Sequence, residues 1–239
     1  MADQNSPPLI SMQGINKSFP GVQALEDVNF DLRYGEIHAL MGGNGAGKST
    51  LIKILTGVER PDSGKIFLEG KEVTVRSPKH AQRLGISTVY QEINLCPNLT
   101  VAENILIGRE PMRWGRIDWK TMNLQAGEIL HRVLGLELDT TRTLGSYSVA
   151  VQQMVAIARA LEIESAKALI LDEPTSSLSA HETEQLFQIM RKLKGDNVGI
   201  IFITHFIKQV YEISDRITVI RNGAHIGTFD TASLPQMEL

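Results

Sequence analysis

The chain has 239 residues, 42% of them hydrophobic, with 24 Lys and Arg against 27 Asp and Glu and a net charge of −3; that length can bury a sizeable core as one large α/β domain or two lobes. The charge balance gives no electrostatic footprint for a nucleic-acid partner, and a single cysteine, Cys96, rules out an internal disulfide. No apolar run approaches the ~20 residues of a membrane span and the opening MADQNSPPLI lacks a signal-peptide pattern, so the chain is expected in the cytoplasm, touching a membrane only through a partner.

In chain order, short strands are predicted over 9–15, 28–32 and 36–41, the last an apolar run, EIHALM, that reads as buried. The stretch MGGNGAGKST follows, and after it Leu51, Ile52, Ile54 and Leu55 recur at helical spacing until Gly57. A short helix with Pro78 in its first turn and Gly85 at its end leads into a strand over 86–90. The pattern then turns helical from Thr100 to about Leu161: Thr100 with Glu103 forms a capping box for a helix ending at Gly108, a second helix over 121–134 stops at Gly135, and good helix formers fill 154–161. Strands return at 168–171 and 199–204, separated by a helix over 180–193 closed by Gly195, and Asn222-Gly223 marks a hairpin between 217–221 and 225–228. The architecture these elements imply is a mostly parallel sheet flanked by helices, with an antiparallel part near the N-terminus and an inserted helical lobe.

Glycine is used where the backbone must take unusual angles or approach a ligand closely. Gly42, Gly43, Gly45 and Gly47, with Asn44 and Ala46 between them and Lys48, Ser49 and Thr50 after, fit a phosphate loop. In such a loop the amides cradle phosphates, Lys reaches the β and γ groups and Ser holds Mg²⁺. The apolar strand that ends in Asp172-Glu173-Pro174 puts two carboxylates at the carboxyl end of a sheet strand, where ligands of open α/β sheets bind. Asp172 can complete the Mg²⁺ shell, and Glu173, pointing elsewhere along an extended chain, can act as general base on a water attacking the γ-phosphate. A carboxylate at a strand end is more often merely solvated; the phosphate loop tips the reading to chemistry. His205 follows the next strand onto the same rim, where it can contact the γ-phosphate. Gln91, where the chain leaves the sheet for the helical lobe, can ligate Mg²⁺ or orient water. Ser148 stands before a helix, a position usually held by a capping hydroxyl, and a helix start is also an anion site; from the helical lobe it is better placed for another molecule's nucleotide than for its own.

This set of motifs resembles the ATP-binding cassette (ABC) ATPases of transporters from Leu9 to about Thr228. In order, Phe19 is similar to the aromatic that stacks on adenine, Gly42 to Ser49 to Walker A, Gln91 to the Q-loop, Tyr147 to Val151 to the signature, Ala168 to Asp172 to Walker B, Glu173 to the catalytic base, Ser176 to Ser179 to the D-loop and His205 to the H-loop. The stretches KSFPGVQAL, VYQEINL, VAENILIGRE and SVAVQQMVAIARAL look like the first half of the double-cassette ATPases of bacterial monosaccharide importers, and SVAVQQMVAI and ITHF lean towards their galactofuranose-type branch. Three departures stand out. The signature keeps only Ser148 of its usual Leu-Ser-Gly-Gly-Gln, Ser179 replaces the usual D-loop Asp, and Gly43 stands where these importers usually carry Glu.

The resemblance implies an α/β fold of the P-loop NTPase type: a RecA-like core over about 1–91 and 162–239 with an antiparallel β part, and an inserted helical subdomain over about 92–161. It implies ATP and Mg²⁺ as ligands, with Glu173, His205, Gln91 and Lys48 as catalytic residues and Ser49, Gln91 and Asp172 as metal residues. It implies a second cassette facing this one, membrane permease subunits, a periplasmic sugar-binding protein acting indirectly, and a place on the inner face of the cell membrane. Family members of this type carry two cassettes, so a sequence that stops soon after Leu234-Pro235 is expected to be a truncated chain or to take its second cassette from elsewhere. A P-loop phosphotransferase and a non-transport cassette protein remain as alternatives.

Overall fold

The computed structural model describes residues 7–89, 95–162 and 166–234. The chain opens with β1 (Ile10–Phe19) and β2 (Val22–Leu32), an antiparallel pair joined across Pro20-Gly21. Pro fixes the first turn position and Gly21, at φ 81°, takes the second. β2 thus starts six positions before the expected 28, Val22, Ala24 and Leu25 of its N-terminal half being interrupted by Gln23 and followed by Glu26 and Asp27, so that no apolar run betrays it. Next come β3 (Ile37–Met41), α1 (Lys48–Leu55), β4 (Ser63–Leu68), β5 (Lys71–Val73), α2 (Pro78–Arg83, capped by Ser77) and β6 (Ile86–Val89).

The helical stretch holds α3 (Val101–Leu106), α4 (Trp119–Leu134) and α5 (Val149–Glu162), with a hairpin of β7 (Met112–Arg113) and β8 (Arg116–Ile117) between the first two. The Thr100–Glu103 capping box is present, and Gly135 closes α4 at φ 70°. Asp118 starts α4 two residues early, by accepting the Thr121 N–H. α5 starts five residues before the expected 154.

The chain ends with β9 (Ala168–Asp172), α6 (Ala180–Gly195), β10 (Gly199–Ile203), α7 (Ile207–Ile213), β11 (Arg216–Arg221) and β12 (Ala224–Asp230). Ser179 and Glu182 form a second capping box at α6. Gly195 does not close that helix: it lies inside it, and the chain turns at Asn197, whose φ is 67°.

Among the described residues, ten strands form one sheet in the order β5-β4-β1-β2-β12-β11-β3-β10-β9-β6. From β11 through β3, β10 and β9 to β6 the pairs are parallel, whereas β5-β4-β1-β2 is antiparallel. β3 and β10 are buried at every position, as parallel strands covered on both faces must be. β9 sorts its side chains with period two. Leu169 and Leu171 join the core beneath α3 to α6, and Ile170 joins the one around α1. That first core runs without a break from the sheet through Val155 and Ile157 of α5 to Ile129 and Leu130 of α4. The strand topology therefore sends the carboxyl ends of β3, β9 and β10 to one rim.

Candidate nucleotide site

The loop after β3 is shaped by close backbone approach. A Cβ at Gly42 would run into the Ile220 carbonyl oxygen, and one at Gly47 would sit 2.7 Å from both the Ala24 oxygen and Leu25 Cδ2. Gly43 is different: an added Cβ meets nothing within 4 Å and its φ is not positive, so the backbone itself does not require glycine there and a side chain such as Glu has room. The β11–β12 turn braces the loop from behind, with Gly223 N donating to the Ala46 oxygen at 3.0 Å and Glu26 N donating to the Gly223 oxygen at 2.8 Å. α1 begins on Gly47, which has no capping side chain, so its first-turn amides are left for an anion. The Lys48 ammonium donates to the oxygens of Gly42 at 2.7 Å and Gly43 at 3.1 Å, folded back over its own loop.

In front of this loop is a cleft of about 620 Å³ lined by Phe19, Val22, Ala24, residues 44–50, Asp172, Glu173 and Ile203. Phe19 stands at its edge, partly exposed, with Lys17 Nζ 5.3 Å from the ring centroid. Asp172 ends β9 half-buried; burial and the neighbouring Glu173 charge raise its pKa against the opposing pull of Lys48. Ser49 and Asp172 give the cleft an all-oxygen donor pair, and among the described residues no cluster of three or more His, Cys, Asp or Glu exists that could hold a metal by itself. That combination fits Mg²⁺, which takes one or two protein oxygens and fills its octahedron with water and phosphate oxygens.

Glu173 is not on an extended chain as expected. Its φ is 47°, its N–H donates to the Ile203 oxygen at 2.9 Å, and this left-handed kink turns the carboxylate toward β10. There Oε1 lies 3.2 Å from His205 Nδ1. Nδ1 donates to the carboxylate, so the neutral ring presents a bare Nε2, and a donor contact from Nε2 to phosphate requires the imidazolium. His205 also packs on Phe206, ring centroids 4.0 Å apart.

The structure thus brings Phe19, the 44–50 loop, Asp172 and Glu173 together, with His205 attached through Glu173. Ser148 is elsewhere: it precedes α5, exposed, its Oγ accepting weakly from Val151 N at 3.4 Å, and it is not among the residues that line the cleft. Gln91 lies outside the described residues. Sequence reasoning missed the walls, Val22, Ala24 and Ile203, and the bracing turn at Asn222-Gly223. It also missed the Thr175 hydroxyl bonded at 2.7 Å to Gln209 of α7, which ties the segment after Glu173 to the helix after His205. The Asn-Gly pair was visible as a turn, but only the sheet order shows what the turn presses on.

The sequence profile of the ABC transporter family matches residues 25–176. The chain belongs to that family. Among curated relatives of this cassette, the galactofuranose transporter ATP-binding protein of Escherichia coli is 54% identical over 231 residues, 97% of this chain and 46% of that protein. The ribose import ATP-binding protein 1 of Rubrobacter xylanophilus is 53% identical over 220 residues, 92% of this chain and 44% of that protein. The chain therefore spans about half the length of the curated relatives it matches. The backbone is similar to a nucleotide-free ATP-binding cassette from an ABC transporter, with a TM-score of 0.82 at 25% identity over 94% of this chain and 92% of the other. A dimeric ATP-binding cassette in a post-hydrolysis state bound to ADP and Pi superposes with a TM-score of 0.76, at 25% identity over 94% of this chain and 100% of that one.

Proposed function

We propose that this cassette binds and hydrolyses ATP to energise sugar import, as one half of a tandem-cassette ATPase. The observation that carries the reading is the single cleft in which a phosphate loop faces Asp172 and a Glu173 already hydrogen-bonded to His205. Phe19 stacks on adenine. The amides of 44–50 and Lys48 take the phosphates, Lys48 exchanging the Gly42 and Gly43 oxygens for phosphate oxygens. Ser49 and Asp172, with Gln91, hold Mg²⁺, which supplies charge neutralisation at the phosphates when bound. Glu173 accepts the proton of the attacking water, and His205 fixes that carboxylate and steadies the γ-phosphate.

Ser148 serves the nucleotide of a facing cassette, where a helix start stabilises the developing charge. The helical subdomain of about 92–161, set into a core of about 1–91 and 162–239, passes closure of the pair to permease subunits at the cytoplasmic face of the membrane. A sugar-binding protein acts on the far side of those subunits. Relatives that import galactofuranose, ribose and fructose support the sugar class. The test is Glu173→Gln, which should bind ATP with wild-type affinity and release no phosphate; wild-type turnover would overturn the assignment. Phosphate appearing on water and never on an added acceptor separates this reading from a P-loop phosphotransferase.

A further inference from the structure

The β7–β8 hairpin presents a surface that the nucleotide cleft does not use. At its turn Trp114 is 92% exposed, and around it Met112 is 62% and Trp119 51% exposed. Trp114 also holds a φ of 54°, ahead of Gly115 at 74°. Left-handed turn positions of this kind favour Gly, Asn or Asp, so a bulky aromatic there meets an unfavourable backbone and an unfavourable exposure together. Trp114 and Trp119 are the only tryptophans in the chain.

The surrounding charge is net positive, in a chain whose net charge is negative. Between Arg109 and Lys120 there are four cations and two carboxylates, and both carboxylates are engaged locally. Glu110 accepts the Gly108 N–H at 2.8 Å, and Asp118 accepts from Thr121 N and Oγ1 at 3.1 and 2.9 Å. Among the described residues Arg113 and Arg116 form no ion pair, Arg113 being only close enough to help lower the Asp118 pKa behind those two hydrogen bonds. An open hollow of about 480 Å³ is lined by the two arginines, the two tryptophans, Ile117 and the Asp118 already engaged by Thr121.

We propose that this hairpin is a direct contact with an anionic phospholipid bilayer. Exposed Trp rings settle at the headgroup level, with Arg and Lys reaching lipid phosphates beside them. The alternative, a protein partner, fits less well. Each strand has two residues, too few for strand addition, and the aromatic groups project from a turn instead of lining a groove. The contact is independent of the nucleotide site, so its failure leaves the proposed ATPase untouched.

Because both tryptophans are in the patch, intrinsic fluorescence reads the contact directly. The chain is titrated with phosphatidylcholine vesicles and with vesicles of phosphatidylcholine mixed with phosphatidylglycerol, and flotation is measured in parallel. Expected are a blue shift and flotation with the mixed vesicles only, both weakened by salt. Arg113→Gln combined with Arg116→Gln should lower the partition about 30-fold. Trp114→Asn, whose side chain accepts the left-handed angle, should lower it while leaving ATP affinity unchanged. No flotation of the wild type, or equal partition of wild type and variants, would overturn the proposal. So would a blue shift produced by an acidic peptide and not by anionic vesicles, which would give the patch to a protein.

Discussion

His38 lies fully buried near the amino end of β3, and its protonation should set the acid stability of this fold. Its Nε2 pairs with Thr218 Oγ1 at 2.7 Å and its ring packs on Phe30, with 4.8 Å between centroids. Burial first, and then the Arg216 charge, push the imidazole down to about 3. In the unfolded chain it titrates near 6.5. Between those values the unfolded state binds a proton that the folded state refuses, so the stabilisation is present above pH 6.5 and is lost as pH falls toward 3. Going from pH 7 to pH 5, the lost contribution is about 2 kcal/mol, a factor of roughly 30 in the folding equilibrium.

Neighbours also titrate. Burial raises Glu36 against the pull of Arg216, which opposes the loss. Asp31, which burial raises and the Arg216 hydrogen bond and charge bring below its usual value, adds to the loss at lower pH. The informative quantity is therefore a difference. His38→Gln keeps an amide for Thr218 but removes the imidazole. Urea unfolding followed by circular dichroism at pH 7 and pH 5 should show the wild type losing about 2 kcal/mol more than the variant. Parallel losses in the two proteins would refute the reasoning.

Two further outcomes test the site. Gly42→Ala should abolish ATP binding measured by calorimetry, because its Cβ meets the Ile220 carbonyl, whereas Gly43→Ala should bind within about twofold of wild type, its Cβ meeting nothing; equal effects at the two positions would count against the loop geometry. In the proposed metal role Asp172 must be ionised to hold Mg²⁺, and its raised pKa means that the Mg²⁺-dependent part of ATP affinity should fade on acidification earlier than an ordinary Asp would allow. Asp172→Asn should lose that part at every pH, and a variant with unchanged Mg²⁺ dependence would remove Asp172 from the metal site.

Local signals carried the elements that local physics decides. The capping hydroxyls Thr100 and Ser179 each bond the amide three residues on, and that needs nothing beyond the chain itself. The buried strands β3, β9 and β10 announced themselves as apolar runs. What stayed hidden depends on distant residues. The mixed start of β2, with no apolar run, is a strand because β1 pairs with it through Phe19 and Val22. α5 is written as helix from Val149 because Ala150, Gln153, Met154 and Ile157 bury against neighbours. The same division runs through the site: glycine spacing revealed the loop, but the kink at Glu173 comes from its N–H reaching Ile203 on another strand, and no spacing along one strand encodes that.

The two rims of the sheet are coupled by register. At the amino ends of β3 and β11, Arg216 holds Asp31 by two hydrogen bonds at 2.7 and 2.8 Å and Glu36 at 3.2 Å. The Asp215 carboxylate accepts the Ile37 N–H at 2.9 Å. Those contacts exist in only one alignment of the strands, the one that pairs Arg216 with His38 and, three steps along, Val219 with Met41. A slip of one residue would leave Arg216 without its carboxylates in a buried place, which costs several kcal/mol, and would send each side chain to the opposite face. Continuing the same register by one residue puts the Ile220 carbonyl against Gly42, the contact that forbids a Cβ there. The buried ion network on one rim and the seat of the phosphate loop on the other therefore belong to the same strand register.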